Sequence, residues 1–204
     1  VSCMFDAGIK PLMQVLDFLK RRDDSIVIAG GVVSTYEWQN LIGRNLSHFV
    51  IKGEGENKLN CLFDHLTDEH RGHPPTPGIN FKFQEEMRES QGEPDSVPVR
   101  GDLIESYSLV EIENYFHYGS LNPFSRMAAI DNKPFAAIQM NRGCRAACTF
   151  CAVRDFNGKG VRVRSPEEVL REMGFLIDQR GIRHFEWLDD DLLFSKKDLH
   201  YLLE

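Results

Sequence analysis

Pro134-Phe-Ala-Ala-Ile-Gln-Met-Asn-Arg-Gly-Cys-Arg-Ala-Ala-Cys-Thr-Phe-Cys151 is the stretch on which the rest of the chain hangs. Phe135 to Gln139, bounded by Pro134, reads as a short buried strand, and a cysteine loop follows at its carboxyl end. Downstream, Ser165-Pro-Glu-Glu168 combines three helix-start signals: a capping hydroxyl, a proline in the first turn and a glutamate that closes a capping box. Val169, Leu170, Met173, Leu176 and Ile177 supply that helix with an apolar face, and Gly181 ends it. Ile182 to Leu188 reads as the next strand and runs into Asp189-Asp190-Asp191; Ser195 caps a last helix containing Leu199, Leu202 and Leu203. Strand, loop, helix, strand is a βαβ unit of a parallel sheet. The order predicts the opening of a TIM-like barrel, with the cysteines and the aspartates at the strand ends where such barrels keep their chemistry.

Cys144, Cys148 and Cys151 are spaced C-x3-C-x2-C. Three thiolates this close can hold three corners of a four-iron four-sulfur cluster, leaving the fourth iron open, as a reacting metal requires. Half of a zinc site is an alternative, but structural zinc takes four ligands, and His184 and His200 are not at finger spacing. Buried free thiols are a second alternative, opposed by the polar Arg142, Arg145 and Thr149 among them. An electron-transfer cluster, with C-x2-C-x2-C, is a near miss.

Upstream, Pro11 to Lys20 is an amphipathic helix with Leu12, Val15, Leu16 and Leu19 on one face. Ile26 to Ala29 and His48 to Ile51 read as buried parallel strands, ending at Gly30-Gly31 and at Gly53-Glu-Gly-Glu56; a helix with Leu59, Leu62, Phe63 and Leu66 follows. In open α/β sheets ligands bind beyond the carboxyl ends of the strands, and glycine lets the backbone come close to them. Glycine pairs also close many ligand-free turns. From Arg71 to Lys133 the character changes: His73-Pro-Pro-Thr-Pro-Gly78 is loop chemistry, Glu85 to Asp102 is acidic, and short elements fall near Leu109 to Phe116. Gln84 to Ser96 reads either as part of a connector or as a disordered spacer.

The chain has 204 residues, 42% apolar and 27% charged, the balance of a soluble globular protein of one or two domains. Its net charge of −7 does not favour nucleic acid. No run approaches the ~18 apolar residues of a membrane span. Five cysteines, three of them clustered, argue for a reducing cytoplasm rather than a disulfide framework. The start at Val1 and the end inside a helical pattern are the marks of a fragment. Between Asn141 and Arg164, six basic side chains (Arg142, Arg145, Arg154, Lys159, Arg162 and Arg164) face one acid, Asp155. They suit an anionic cluster and a carboxylate ligand, a solvated basic face, or an RNA-facing patch.

C-x3-C-x2-C with Phe150 before the last cysteine resembles the signature of radical S-adenosylmethionine (SAM) enzymes. Ile-Ala-Gly-Gly-Val-Val33 followed by Val-Ile-Lys-Gly-Glu-Gly-Glu56 resembles the second half of the cobalamin-binding domain that precedes the barrel in one large subfamily. The resemblance implies a C-terminal half of a Rossmann-like domain over residues 1–70, a linker over 71–133, and the first βαβ units of the radical SAM barrel over 134–204. It implies a cluster on Cys144, Cys148 and Cys151. SAM would lie near Phe150 and Asp189, Asp190 and Asp191, the aspartates standing where many members carry Gly-Gly-Glu. Cobalamin would lie along Gly30, Gly31, Gly53, Glu54, Gly55 and Glu56. Asp68-Glu-His70-Arg-Gly72 differs from the subfamily's cobalt-ligand motif in spacing and position. The implied activity is oxygen-sensitive: reductive cleavage of SAM to a 5′-deoxyadenosyl radical, then cobalamin-dependent methyl transfer or related radical chemistry. A flavodoxin or ferredoxin would donate the electron, and the substrate would be a small molecule or peptide. A methylthiotransferase acting on RNA without cobalamin, and a non-catalytic iron–sulfur module, are the alternatives.

Overall fold

The computed structural model describes residues 1–4, 8–22, 24–67, 77–90, 103–114 and 133–203. The chain divides into two compact units: Val1–Val97 with Cys148–Gly158, and Pro98–Ala147 with Lys159–Glu204.

The first unit is a mixed α/β layer. Helix α1 (Ile9–Lys20) is followed by β1 (Ile28–Ala29), α2 (Gly31–Gly43), β2 (Phe49–Ile51) and α3 (Glu56–Thr67). β1 and β2 pair in parallel, and alternate residues leave the sheet in opposite directions. Val27, Ala29 and Val50 pack with Leu12, Leu16, Val33, Leu41 and Ile42 from α1 and α2. Ile28, Phe49 and Ile51 pack with Leu59 and Leu62 from α3. Helices therefore cover both faces, as a parallel sheet requires.

Two parts of this sheet were not anticipated. Residues 79–89, inside the stretch assigned to a linker, form a hairpin of β3 (Ile79–Phe83) and β4 (Glu86–Glu89), and β3 pairs antiparallel with β2. Ile79 and Phe81 bury their side chains while β4 lies exposed, so β4 carries almost no hydrophobic signal. At the other edge Ser2 pairs in parallel with Gly30. The expected apolar faces are narrower than their periodicity suggests, because Val15, Phe63 and Ile26 are exposed. Asp68 to Gly72 and residues 91–96 lie outside the described residues.

The second unit is built on β5 (Phe135–Ile138) and β8 (His184–Trp187), paired in parallel from Phe135↔His184 to Ile138↔Trp187. Between them come β6 (Asn141–Cys144), helix α4 (Val153–Asn157, within the first unit), β7 (Gly160–Val163) and α5 (Pro166–Arg180). Ser165 and Glu168 form the expected capping box, and Gly181 stops the helix at φ +67°. Ala136, Ile138, Met140, Val169, Leu176 and Ile182 form the core. Helix α6 (Lys196–Leu203) closes the unit, with the Ser195 hydroxyl accepting from the Asp198 amide at 3.3 Å. The cysteine loop does not leave β5 directly. β6 pairs antiparallel with β7, from Asn141↔Val163 to Cys144↔Gly160, so the loop is an excursion from a hairpin. Gly158 and Gly160, at φ +80° and +90°, lie where the chain turns back into that hairpin.

Tyr107, in a 3-10 turn (Ile104–Leu109) of the expected linker, packs against the same core. Its hydroxyl donates to Glu172 Oε1 at 2.6 Å, and Glu172 pairs with Arg164 at 2.6 Å. Burial, reinforced by Glu172, raises the pKa of that phenol strongly. Arg180 adds bonds to Glu113 and to the Tyr107 carbonyl.

Candidate functional site

Cys144 ends β6, half-buried, and its Sγ accepts the Ala146 amide at 3.4 Å. Cys148 and Cys151 are exposed, in a turn in which the Cys151 amide donates to the Cys148 carbonyl at 3.2 Å. All three are free thiols. Phe150 is 91% exposed, so simple packing beneath the loop does not explain it. Among the described residues no three His, Cys, Asp or Glu side chains converge on a common point. The donor set nevertheless fits an iron–sulfur cluster: thiolates are the ligands such clusters take, and an N–H···S bond to one of them is a usual tuning contact.

The acidic tip is organised by its neighbours. Asp189 accepts the backbone amides of Met140, at 3.1 Å, and of Asn141. Burial raises its pKa, and the two amides work against that. Asp191 binds the Arg145 guanidinium in a two-pronged pair, Nε–Oδ2 3.0 Å and Nη2–Oδ1 3.1 Å. Arg145 also lies over the Phe194 ring, 5.7 Å from its centroid. Asp190 is exposed. The basic run is thus less open than its sequence suggests. Arg164 is buried, pairs with Glu172 and donates to the Gln139 carbonyl at 3.0 Å, because a guanidinium enters a core only with such partners.

In the first unit Gly30 caps α2 and Gly31 begins it, just beyond β1, while Gly53 to Gly55 lead into α3, which starts at Glu56. Gly31 has φ +90°, and a Cβ there would meet Cys3 O at 2.5 Å. Gly53 has φ +69°, and a Cβ there would meet Phe156 O at 2.9 Å. The chain's own packing therefore demands glycine at both. A Cβ at Gly30 would meet Ile51 O at 3.9 Å and one at Gly55 would meet Leu59 Cδ1 at 3.7 Å, ordinary contacts, so packing does not demand glycine at these two. Glu54 is buried, and Glu56 stands in the first turn of α3, where the helix dipole favours a carboxylate. Sequence reasoning missed Thr35, whose hydroxyl donates to the Gly31 carbonyl at 2.9 Å and accepts the Gly53 amide at 3.0 Å, tying the two loops together. It also missed Tyr36, which donates to Asp155 at 3.1 Å, four residues beyond Cys151. Burial and Asp155 raise the Tyr36 pKa. Nothing in a helical stretch flags either residue, since their partners are distant in sequence.

The fold is found in known proteins. TsrM from Kitasatospora setae, a radical SAM methyltransferase whose structure holds cobalamin and a four-iron four-sulfur cluster, matches 96% of this chain and 36% of its own, with TM-score 0.65 at 18% identity. The fold is therefore the fold of that class of enzyme. An uncharacterised methyltransferase of Pyrococcus horikoshii is 30% identical over 148 residues, 72% of this chain and 29% of that protein. The ribosomal protein uS12 methylthiotransferase RimO of Saccharopolyspora erythraea is 42% identical over 70 residues, 34% of this chain and 14% of that protein. The chain spans less than a third of each of these curated relatives. No family model matches it. The neighbours agree with the resemblance read from the cysteine and glycine motifs. No helix among the described residues is long and apolar enough to cross a membrane.

Proposed function

We propose that this chain is part of a cobalamin-dependent radical SAM enzyme of the methyltransferase type. The observation that carries the reading is C-x3-C-x2-C as three free thiols beyond a strand, in a chain whose fold matches TsrM over nearly its whole length. Cys144, Cys148 and Cys151 would hold a four-iron four-sulfur cluster and leave one iron open to SAM. SAM would lie near Phe150, which is exposed, and near Asp189, Asp190 and Asp191, of which Asp190 is the exposed one. Cobalamin would lie along Gly30, Gly31 and Gly53 to Glu56. When bound, the cluster supplies the electron that cleaves the SAM sulfonium, and cobalamin carries the methyl group. The protein's share is to hold the thiols, orient SAM and keep water out. A flavodoxin- or ferredoxin-type donor and a small-molecule or peptide substrate complete the reading, in a cytoplasmic, oxygen-sensitive protein.

The test is anaerobic reconstitution with iron and sulfide, followed by electron paramagnetic resonance of the reduced protein with and without SAM. A four-iron signal that SAM alters is expected, and Cys148→Ala should abolish it. A signal indifferent to SAM, or bound zinc in place of iron, refutes the reading. A methylthiotransferase is the second reading, favoured by the RimO similarity. Cobalamin binding to the reconstituted protein separates the two.

A further inference from the structure

The peptide that leads into Cys144 is held from both sides by side chains distant in sequence. β5 ends at Ile138, and the next residues, Gln139, Met140 and Asn141, continue past the end of the strand ladder. Their polar backbone groups have to be satisfied there, since Met140 and Asn141 are fully buried. Asp189, two residues beyond β8, takes the consecutive amides of Met140 and Asn141 on its two carboxylate oxygens. Arg164 takes the opposite edge: its guanidinium donates to the Gln139 carbonyl at 3.0 Å and its amide to the Met140 carbonyl at 2.9 Å. Asn141 Nδ2 donates to the Asp191 carbonyl at 3.1 Å, and the Asp191 carboxylate grips Arg145, the residue after Cys144. Met140, Asn141 at the start of β6, and the residue after Cys144 are thereby fixed to the segment after β8, and Gln139 to Arg164.

We propose that Asp189 is a positioning residue for the cluster loop: through the Met140 and Asn141 amides it sets where β6 begins and so where Cys144 presents its sulfur. This rests on the reading that Cys144 ligates iron. A carboxylate suits the task because it accepts two N–H bonds at once. An asparagine can accept only one and turns an NH2 toward the other donor. Asp178, exposed on α5 and given no part in the site, is the control.

The experiment compares the wild-type chain with Asp189→Asn and Asp178→Asn after anaerobic reconstitution. Iron per chain is measured after gel filtration, with the resonance spectrum of the reduced cluster and the alkylation rate of Cys144 in the cluster-free protein. Asp189→Asn should retain iron about tenfold less well, in line with the loss of outer hydrogen-bond partners at metal sites. It should also broaden the cluster signal and raise Cys144 alkylation relative to Cys151, while circular dichroism stays native. Asp178→Asn should match wild type in all three. Equal iron, spectrum and alkylation in Asp189→Asn and wild type overturn the proposal, as does an equal loss in both variants. If Asp189→Asn is unfolded, Asp191→Asn, which loosens the Arg145 anchor of the same loop, carries the test, and unchanged cluster retention there overturns it. A wild-type chain that forms no cluster overturns the functional reading itself, which keeps the two failures apart.

Discussion

Replacing Gly31 with alanine should destabilise the first unit whether or not a ligand binds there. At φ +90° a side chain is strained whatever surrounds it, and the left-handed region costs an L-residue about 1–2 kcal/mol. The added Cβ would sit 2.5 Å from Cys3 O and 2.8 Å from both Cys3 N and Ser2 Oγ. Two of these are backbone atoms and cannot swing aside. Moving them endangers three hydrogen bonds, Cys3 N to Gly30 O, Gly30 N to Val1 O and Val33 N to Cys3 O, at 3.1, 2.9 and 3.1 Å. At about 1 kcal/mol each plus the backbone strain, the loss is about 4–5 kcal/mol, against a total stability of about 5–15 kcal/mol for a domain. The assay is urea unfolding followed by the fluorescence of Trp38, which packs against this core, in a Trp187→Phe background so that the second unit is silent. Gly43→Ala, where a Cβ meets only Met87 Sδ at 3.7 Å, is the control and should not destabilise. A Gly31→Ala protein within about 0.5 kcal/mol of wild type would refute the reasoning, that being the ordinary effect of a surface change. It follows that loss of cobalamin binding in a Gly31 variant is informative only once the fold is shown intact.

Other perturbations follow from the same contacts. Glu172→Ala should destabilise the second unit by about 3–5 kcal/mol, because it strands the buried Arg164 guanidinium; urea unfolding read by Trp187 fluorescence measures it. Tyr107→Phe, which removes one bond to Glu172, should cost about 1 kcal/mol in the same assay and far less than additively in the double variant. His48 has its pKa lowered by burial and by the Lys20 ammonium 2.8 Å from Nε2. The unfolded chain therefore binds a proton more readily than the folded one. The stability this contributes is complete above the unfolded value of about 6.5 and is lost as pH falls through the lower folded value. The urea midpoint of the first unit should drop between about pH 7.5 and 5.5, and His48→Gln should flatten the change. Ser165→Ala should cost the second unit about 1 kcal/mol by opening the capping box at α5.

Features whose causes lie within a few residues could be read from the chain alone. Helix α5 starts and stops where Ser165-Pro-Glu-Glu168 and Gly181 say it should, because capping is a contact between a residue and its third or fourth neighbour. The parallel pair β5 and β8 and the three thiols on one loop were legible for the same reason: strand periodicity and ligand spacing are local patterns. The exposed strand β4 left no such pattern, and its hairpin with β3 was read as part of a linker. Nor did the pairing of β6 with β7, whose partners stand on either side of a fifteen-residue excursion (145–159).

At the candidate site the same division holds. The residue types were visible in the sequence; their tasks were settled by partners far along the chain. Asp189 looked like a ligand contact and faces two amides 48 and 49 residues away. Arg164 looked like part of a basic surface and is buried against Glu172. Gly31 and Gly53 looked like openings for a cofactor, and the backbones of Cys3 and Phe156 occupy the space beside them. Sequence by itself determined which chemical groups this protein has and which short segments are helix or strand. Only the tertiary structure decided which of those groups face one another, because burial and hydrogen bonding act between segments that the folded chain brings together across tens of residues.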